Sequence, residues 1–126
     1  MNAFVGPQDD SGTPINYVWQ QFIKLTTIKT PSAIFVTLDE HPDSINDAWY
    51  VWCTSADPSE KWTWSDLPAS YHNGAYGFSF ADGHAEIKKW MVSTTIRPVL
   101  MSAADFPITV GSDARDIYLD RTANNL

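Results

Sequence analysis

The chain has one cysteine, few basic residues and no long hydrophobic run, and each shortage excludes a class of protein. Cys53 cannot form an intramolecular disulfide, and no catalytic-nucleophile signature surrounds it. The 8 Lys and Arg against 15 Asp and Glu give a net charge of −7. We therefore expect no nucleic-acid partner, because such a partner requires a basic face. Without a run of about 18 apolar residues, we expect no segment of the chain to span a membrane as a helix.

Aromatic side chains are abundant, at 13% of the residues, and they include 6 Trp. With 44% hydrophobic residues, a chain of 126 residues is typical of one folded domain, which we place over residues 1–126. The rings can build a dense core, or they can form a surface that stacks on sugars. The second interpretation gives a carbohydrate-binding module as an alternative function. Its platform would comprise Trp49, Trp52, Trp62, Trp64 and Tyr71.

The clearest local pattern predicts a β-hairpin over residues 76–90. Asp82-Gly83 is a favoured pair for a two-residue type I′ turn, and aromatic and apolar residues alternate on either side of it. With the turn there, Phe80 lies opposite Ala85 and Phe78 lies opposite Ile87. This register collects apolar side chains on one buried face, whereas a shift by one residue would mix the two faces.

Two further elements complete the predicted fold. The short apolar run 33–38 predicts a strand that is buried on both faces. Near the end of the chain, Ser112 is suited to cap a short helix, whose stripe would comprise Ala114, Ile117, Tyr118 and Arg121. We therefore expect an α+β domain that is built on an antiparallel sheet.

The spacing around the hairpin resembles a known family motif. His72 and Asp82-Gly83 are separated by nine residues, and His84 follows the pair. This segment resembles the prepilin-type processing-associated family named for its His-x(9)-Asp-Gly spacing. The likeness extends over most of the chain, and the further segments that carry it are 39–47, 67–70, 78–84 and 120–122.

The resemblance implies a pilin- or pseudopilin-like head domain with an antiparallel sheet. In that family an N-terminal apolar helix anchors the protein in the membrane and forms the filament core, and this helix is missing from the chain. The implied role is structural and non-enzymatic, in an exported protein at the cell surface or in the periplasm. The implied partners are other pilin-like subunits or proteins of a type II secretion machinery.

The loop from residue 39 to residue 47 is the best candidate for ion binding. Several hard oxygen ligands fall within nine residues, which suits calcium, and related pseudopilins hold calcium in a loop. The spacing lacks the central Gly and terminal Glu of an EF-hand. In the alternative interpretation, the loop side chains satisfy its own backbone amides. The candidate ligands are Asp39, Glu40, Asp43, Asn46 and Asp47.

Enzymatic interpretations have less support in the sequence. A zinc site would combine His41, His72 and His84 with Asp39, and a metal-dependent hydrolase is accordingly the weaker alternative function. The chain contains no His-Glu-x-x-His helix and no Gly-x-Ser-x-Gly elbow. Asp82 and Gly83 have an ordinary structural interpretation as turn residues. We therefore expect a protein that is not an enzyme.

Overall fold

A computed structural model describes residues 1–2, 4–6, 20–51, 63–64, 66–102 and 108–109 of the chain. Three strands form an antiparallel sheet in the order β1-β3-β4, and two short strands, β2 and β5, form a second antiparallel pair. The strands are β1 (Phe35–Leu38), β2 (Thr63–Trp64), β3 (Ala75–Phe80), β4 (Ala85–Lys89) and β5 (Ile108–Thr109). The part described is thus a small, mostly β domain.

Helical structure in these residues is limited to two single 3-10 turns, Leu25–Thr27 and Pro31–Ala33. Neither turn is long enough to cross a membrane, and no longer apolar helix occurs in the described ranges. The predicted C-terminal helix that begins at Ser112 lies outside the described residues. The described residues therefore do not include the helix that the expected α+β class requires.

The predicted hairpin is present and its turn contains Asp82 and Gly83, but the predicted two-residue turn type and the register are wrong. The Gly83 N–H donates to the Phe80 carbonyl at 2.9 Å, and the Phe80 N–H donates to the His84 carbonyl at 2.9 Å. These bonds close a three-residue loop in which Gly83 adopts a φ of +93°. This is the type I turn followed by a positive-φ glycine, the next most common hairpin connection after the two-residue loop. The extra loop residue shifts the strand register by one position.

The shifted register moves Ile87 to the other face of the sheet. Phe78 lies opposite Glu86, and Gly77 lies opposite Ile87. Phe78 and Phe80 are buried as predicted, whereas the Ile87 side chain is 79% exposed. The prediction that all three share a buried face is therefore wrong for Ile87. An edge strand packs against only one neighbour, so β4 tolerates charged side chains on the face that the apolar pattern assigned to the core.

The strand predicted at residues 33–38 is also present, as β1, but it is buried on one face only. Phe35 is buried, Thr37 is exposed, and a bulge falls between them where β1 pairs with β3. The Phe35 and Phe78 rings lie with their centroids 5.3 Å apart, and Phe78 meets Tyr76 edge-on at 4.3 Å. This ring cluster forms the core beneath the sheet.

The first residues of the chain lie along the outer edge of β1. The Asn2 N–H donates to the Val36 carbonyl at 2.8 Å, and the fully buried Asn2 amide donates to the Phe35 carbonyl at 2.9 Å. The side-chain oxygen of Asn2, Oδ1, accepts the Phe4 N–H at 3.0 Å. Asn2 therefore satisfies three backbone groups that the edge of β1 and the following turn would otherwise bury without partners.

Candidate functional site

The sheet has a second face, on the side away from the ring cluster, that the described residues leave uncovered. We call it the open face. Its central side chains are small or carry hydroxyl groups apart from one exposed isoleucine, and exposed Lys89 lies on the same face at the end of β4. The central side chains form the floor of a shallow, open groove of about 530 Å³. The Thr37 and Ser79 hydroxyls are hydrogen-bonded to each other at 2.5 Å across β1 and β3. The central residues of the open face are Thr37, Gly77, Ser79, Ala85 and Ile87.

Asp39 lies at one end of the open face and joins the loop 39–47 to His72. Its N–H donates to the Gly77 carbonyl at 3.1 Å, and its Oδ2 accepts the Gly77 N–H at 3.0 Å. The same Oδ2 lies 3.6 Å from Nε2 of His72. A Cβ at Gly77 would come within 3.0 Å of Oδ2, so glycine allows this close approach. Asp39 therefore extends the β1–β3 pairing with a side chain.

The pair formed by Asp39 and His72 is open to solvent. The two side chains are 44% and 57% exposed. The Tyr71 ring lies 4.6 Å from the His72 ring, and partial burial together with the charge of Asp39 raises the pKa of the Tyr71 hydroxyl. An exposed carboxylate beside an imidazole and a phenol offers hydrogen-bonding groups to a partner at the rim of the open face.

The other motif residues lie together at the hairpin turn. His84 Nδ1 is 2.5 Å from Asp82 Oδ1, and its Nε2 is 3.2 Å from Glu86 Oε1. Lys88 Nζ contacts the second Glu86 oxygen at 2.5 Å. The hydrogen bond to Asp82 raises the pKa of His84, and the hydrogen bond to Glu86 raises it by a lesser amount. The imidazole also stacks on Phe80 at 4.3 Å, so Asp82, Gly83 and His84 together hold the turn.

Four of the five predicted calcium ligands have separate protein partners. Both oxygens of Asp43 accept backbone N–H groups, from Leu100 at 2.8 Å and Ser102 at 3.3 Å, and the Leu100 bond is the main reason that the pKa of Asp43 is lowered. Asp47 accepts the Trp49 N–H at 2.6 Å. In the ranges described, no three His, Cys, Asp or Glu side chains form a group that could hold a metal. The remaining three ligands are Asp39 at the end of the open face, half-buried Glu40 and exposed Asn46. Calcium binding stays a prediction.

Glu40 belongs to a buried polar region that the sequence did not indicate. Burial raises its pKa to about 7, against the opposing effect of a 3.0 Å hydrogen bond from Ser44. Asp66 is also buried, its pKa is raised by burial, and its Oδ2 accepts the Val51 N–H at 2.5 Å. The neighbouring Tyr50 hydroxyl is buried, and no described residue hydrogen-bonds it. No local pattern marks Asp66, because its burial depends on packing between segments that are distant in the chain.

The three histidines of the zinc interpretation lie at different places. His41 is buried, accepts the Asp43 N–H at 3.2 Å and contacts the Arg97 carbonyl at 3.3 Å. His72 lies beside Asp39 on the surface, whereas His84 lies at the hairpin turn. Each ring therefore has its own protein partners.

The proposed sugar platform is only partly described. Trp49 is half-buried, and Tyr71 is 50% exposed beside His72. Trp52 and Trp62 lie outside the described residues, and Trp64 is described only as part of β2. Trp90, which was not a candidate, stacks on Tyr76 at 4.0 Å within the core. The carbohydrate-binding alternative stays a prediction.

Comparisons with known proteins add no relative. No family model matches the chain, and no significant match was found among the curated proteins or the solved structures.

Proposed function

We propose that this chain is the non-enzymatic head domain of an exported, pilin-like protein, and that the open face is its contact surface. The face would bind an apolar helix of a pilin-like subunit, either the helix of the same protein or that of a neighbouring one. The observation that carries the proposal is the two-sided character of the sheet. One face covers an aromatic core, while the centre of the other presents small side chains and an exposed isoleucine, with Lys89 at the end of β4.

The shape of the open face supports a helix as its occupant. Gly77, Ser79 and Ala85 have little or no side-chain bulk, so a helix could approach the backbone of β3 and β4 closely. Ile87 is 79% exposed and would bury apolar surface against such a helix. Burial of one isoleucine side chain contributes about 1.5–3 kcal/mol, which is a substantial part of the free energy of a weak contact.

The positions of the motif residues support a structural role for the motif. At the rim of the open face Asp39 bonds to Gly77 at the end of the β1–β3 pairing, and His72 contacts the Asp39 carboxylate. Asp82, Gly83 and His84 hold the hairpin turn. Their interactions with one another and with the backbone shape the sheet, and this is the role expected of a scaffold that positions a contact surface.

The test uses the natural gene product in the organism that carries it. We expect its reading frame to include a leader and an apolar helix upstream of residue 1, and the mature protein to be found in the membrane or at the surface. Ser79→Arg places a long charged side chain at the centre of the open face and should abolish assembly with other pilin-like subunits.

The matched control is Leu25→Arg, because Leu25 is 67% exposed in a 3-10 turn and does not line the groove over the open face. It should leave export and assembly unchanged. A cytoplasmic gene product, or normal assembly of a folded Ser79→Arg protein, would refute the proposal.

A further inference from the structure

The outer edge of β4 carries backbone groups without partners in the described part of the chain. The Phe80 N–H bonds to His84, and the Trp90 N–H bonds to the Gly74 carbonyl at 2.8 Å. In an antiparallel ladder the direction of backbone bonding alternates along a strand. The even-numbered residues of β4 therefore bond to β3, and Ala85, Ile87 and Lys89 direct their N–H and C=O groups outward.

We propose that β4 pairs with β4 of a second copy of this chain. The two strands would run antiparallel about a two-fold axis at Ile87, so that this residue lies opposite its equivalent. Ala85 would then lie opposite Lys89 of the second copy, and both pairs would use the outward-directed backbone groups. This inference does not depend on the proposed function, because it concerns the sheet edge and not the open face.

The charges on β4 select this register. With the axis at Ile87, Glu86 of each copy lies opposite Lys88 of the other, at a non-hydrogen-bonded position where opposed Cα atoms are about 4.5 Å apart. An axis at Glu86 would set two glutamates against each other, and an axis at Lys88 would oppose two lysines. Like charges directly opposite destabilise a strand pair, whereas opposite charges stabilise it. The sequence Glu86-Ile87-Lys88 is thus complementary to itself.

The pairing would produce one six-stranded sheet. The two-fold axis is perpendicular to that sheet, so the open faces of both copies lie on the same side. The two Ile87 side chains, each 79% exposed in the single chain, would meet at the axis. Lysine on an edge strand commonly prevents such pairing, but here each Lys88 would have a glutamate opposite it.

Charge reversal tests the register by sedimentation of the full chain. Glu86→Lys alone and Lys88→Glu alone each create two like-charge pairs about the axis, so each should raise the dimer dissociation constant about tenfold or more. The double variant E86K/K88E restores opposite charges and should return the constant to within about threefold of the wild-type value. Circular dichroism will establish that the variants fold.

A covalent test covers the case in which a charge variant fails to fold. In the Cys53→Ser background, Ile87→Cys would place two cysteines at the axis, with Cα atoms about 5.5 Å apart and within the range that a disulfide spans. Mild oxidation should yield a linked dimer, whereas Leu25→Cys in the same background should yield none. A monomeric wild-type chain at about 1 mM, or a double variant as weakly associated as the single ones, would overturn the proposal.

Discussion

Glu40 is a half-buried carboxylate whose ionisation opposes folding. Burial raises its pKa from 4.5 to about 7, so the folded state favours the neutral acid. Between these two values the unfolded chain loses its proton first, and stability falls as the pH rises. Glu40→Gln keeps an oxygen for Ser44 without the charge. Because the group is half exposed, we expect the variant to be more stable at pH 8 by only about 1 kcal/mol, and equal to wild type near pH 4.

Denaturant unfolding at a series of pH values measures this difference. Glu86→Gln is the matched control. Lys88 and His84 lower the pKa of Glu86, so ionisation of Glu86 stabilises the folded state instead of opposing it. A Glu40→Gln protein with the same pH dependence as wild type would show that Glu40 is not desolvated.

His84 has the opposite linkage from Glu40. Its folded pKa is raised, mainly by the hydrogen bond to Asp82, so the protonated ring stabilises the hairpin. This stabilisation is complete below about pH 6.5, the ordinary value, and is lost as the pH rises through the folded pKa. Asp82→Asn should lower the pKa of His84 towards its ordinary value, as measured by NMR titration of the ring. An unchanged titration in the folded variant would contradict the assigned contact.

Residues with local roles could be predicted from the sequence, whereas contacts between distant residues could not. Asp82 and Gly83 were correctly assigned to the turn, because their chemistry is local. The contact between Asp39 and His72 joins residues 33 positions apart, and no spacing rule indicates it. Asp66 was missed for the same reason, because a buried carboxylate is recognised only after distant segments have packed around it.

At the scale of elements, the hairpin separates what the sequence predicts from what it does not. Asp82-Gly83 located the turn, but the pair fits both a two-residue loop and the last part of a three-residue loop. The preference for burying Ile87 then selected the wrong register. An edge strand need not bury its apolar side chains, so the pattern alone cannot distinguish the two loops.

Two alanine substitutions distinguish the two registers by their stability. Phe78→Ala removes a ring that is 2% exposed, and it should lower the free energy of unfolding by about 3–5 kcal/mol. Ile87→Ala removes a side chain that is 79% exposed, and it should cost less than about 0.5 kcal/mol. Chemical denaturation at a low, monomeric concentration measures both. A loss of about 2 kcal/mol or more for Ile87→Ala would restore the predicted register.

At the scale of the whole molecule, the N-terminal residues complete the edge of the sheet. Asn2 is 1% exposed and holds backbone groups of Phe35, Val36 and Phe4. Asn2→Ala leaves the Phe35 carbonyl and the Phe4 N–H buried without side-chain partners, and should cost about 2–3 kcal/mol. Asn46→Ala, at an exposed position, is the control and should have almost no effect. Equal midpoints for the two variants in thermal unfolding would contradict this role.

The contact of Asn2 with β1 shows why part of the overall arrangement could not be predicted from the sequence. The three strands of the main sheet and the position of the hairpin turn follow from local apolar patterns and from turn chemistry. The position of Asn2 on β1, and the separation of an open face from an aromatic face, depend on the register and on contacts between distant segments. The antiparallel sheet could therefore be predicted from the sequence, whereas the candidate contact surface could not.

The central proposal is that the open face contacts an apolar helix of a pilin-like subunit. Photo-crosslinking in the native organism tests it most directly, with a benzophenone amino acid at Thr37, which lies on the open face and away from β4. The account predicts an adduct whose peptides map to the apolar N-terminal helix of a pilin-like subunit, and none from a probe at Leu25. The claim would be contradicted if the Thr37 probe gave no such adduct, or gave the same products as the Leu25 probe.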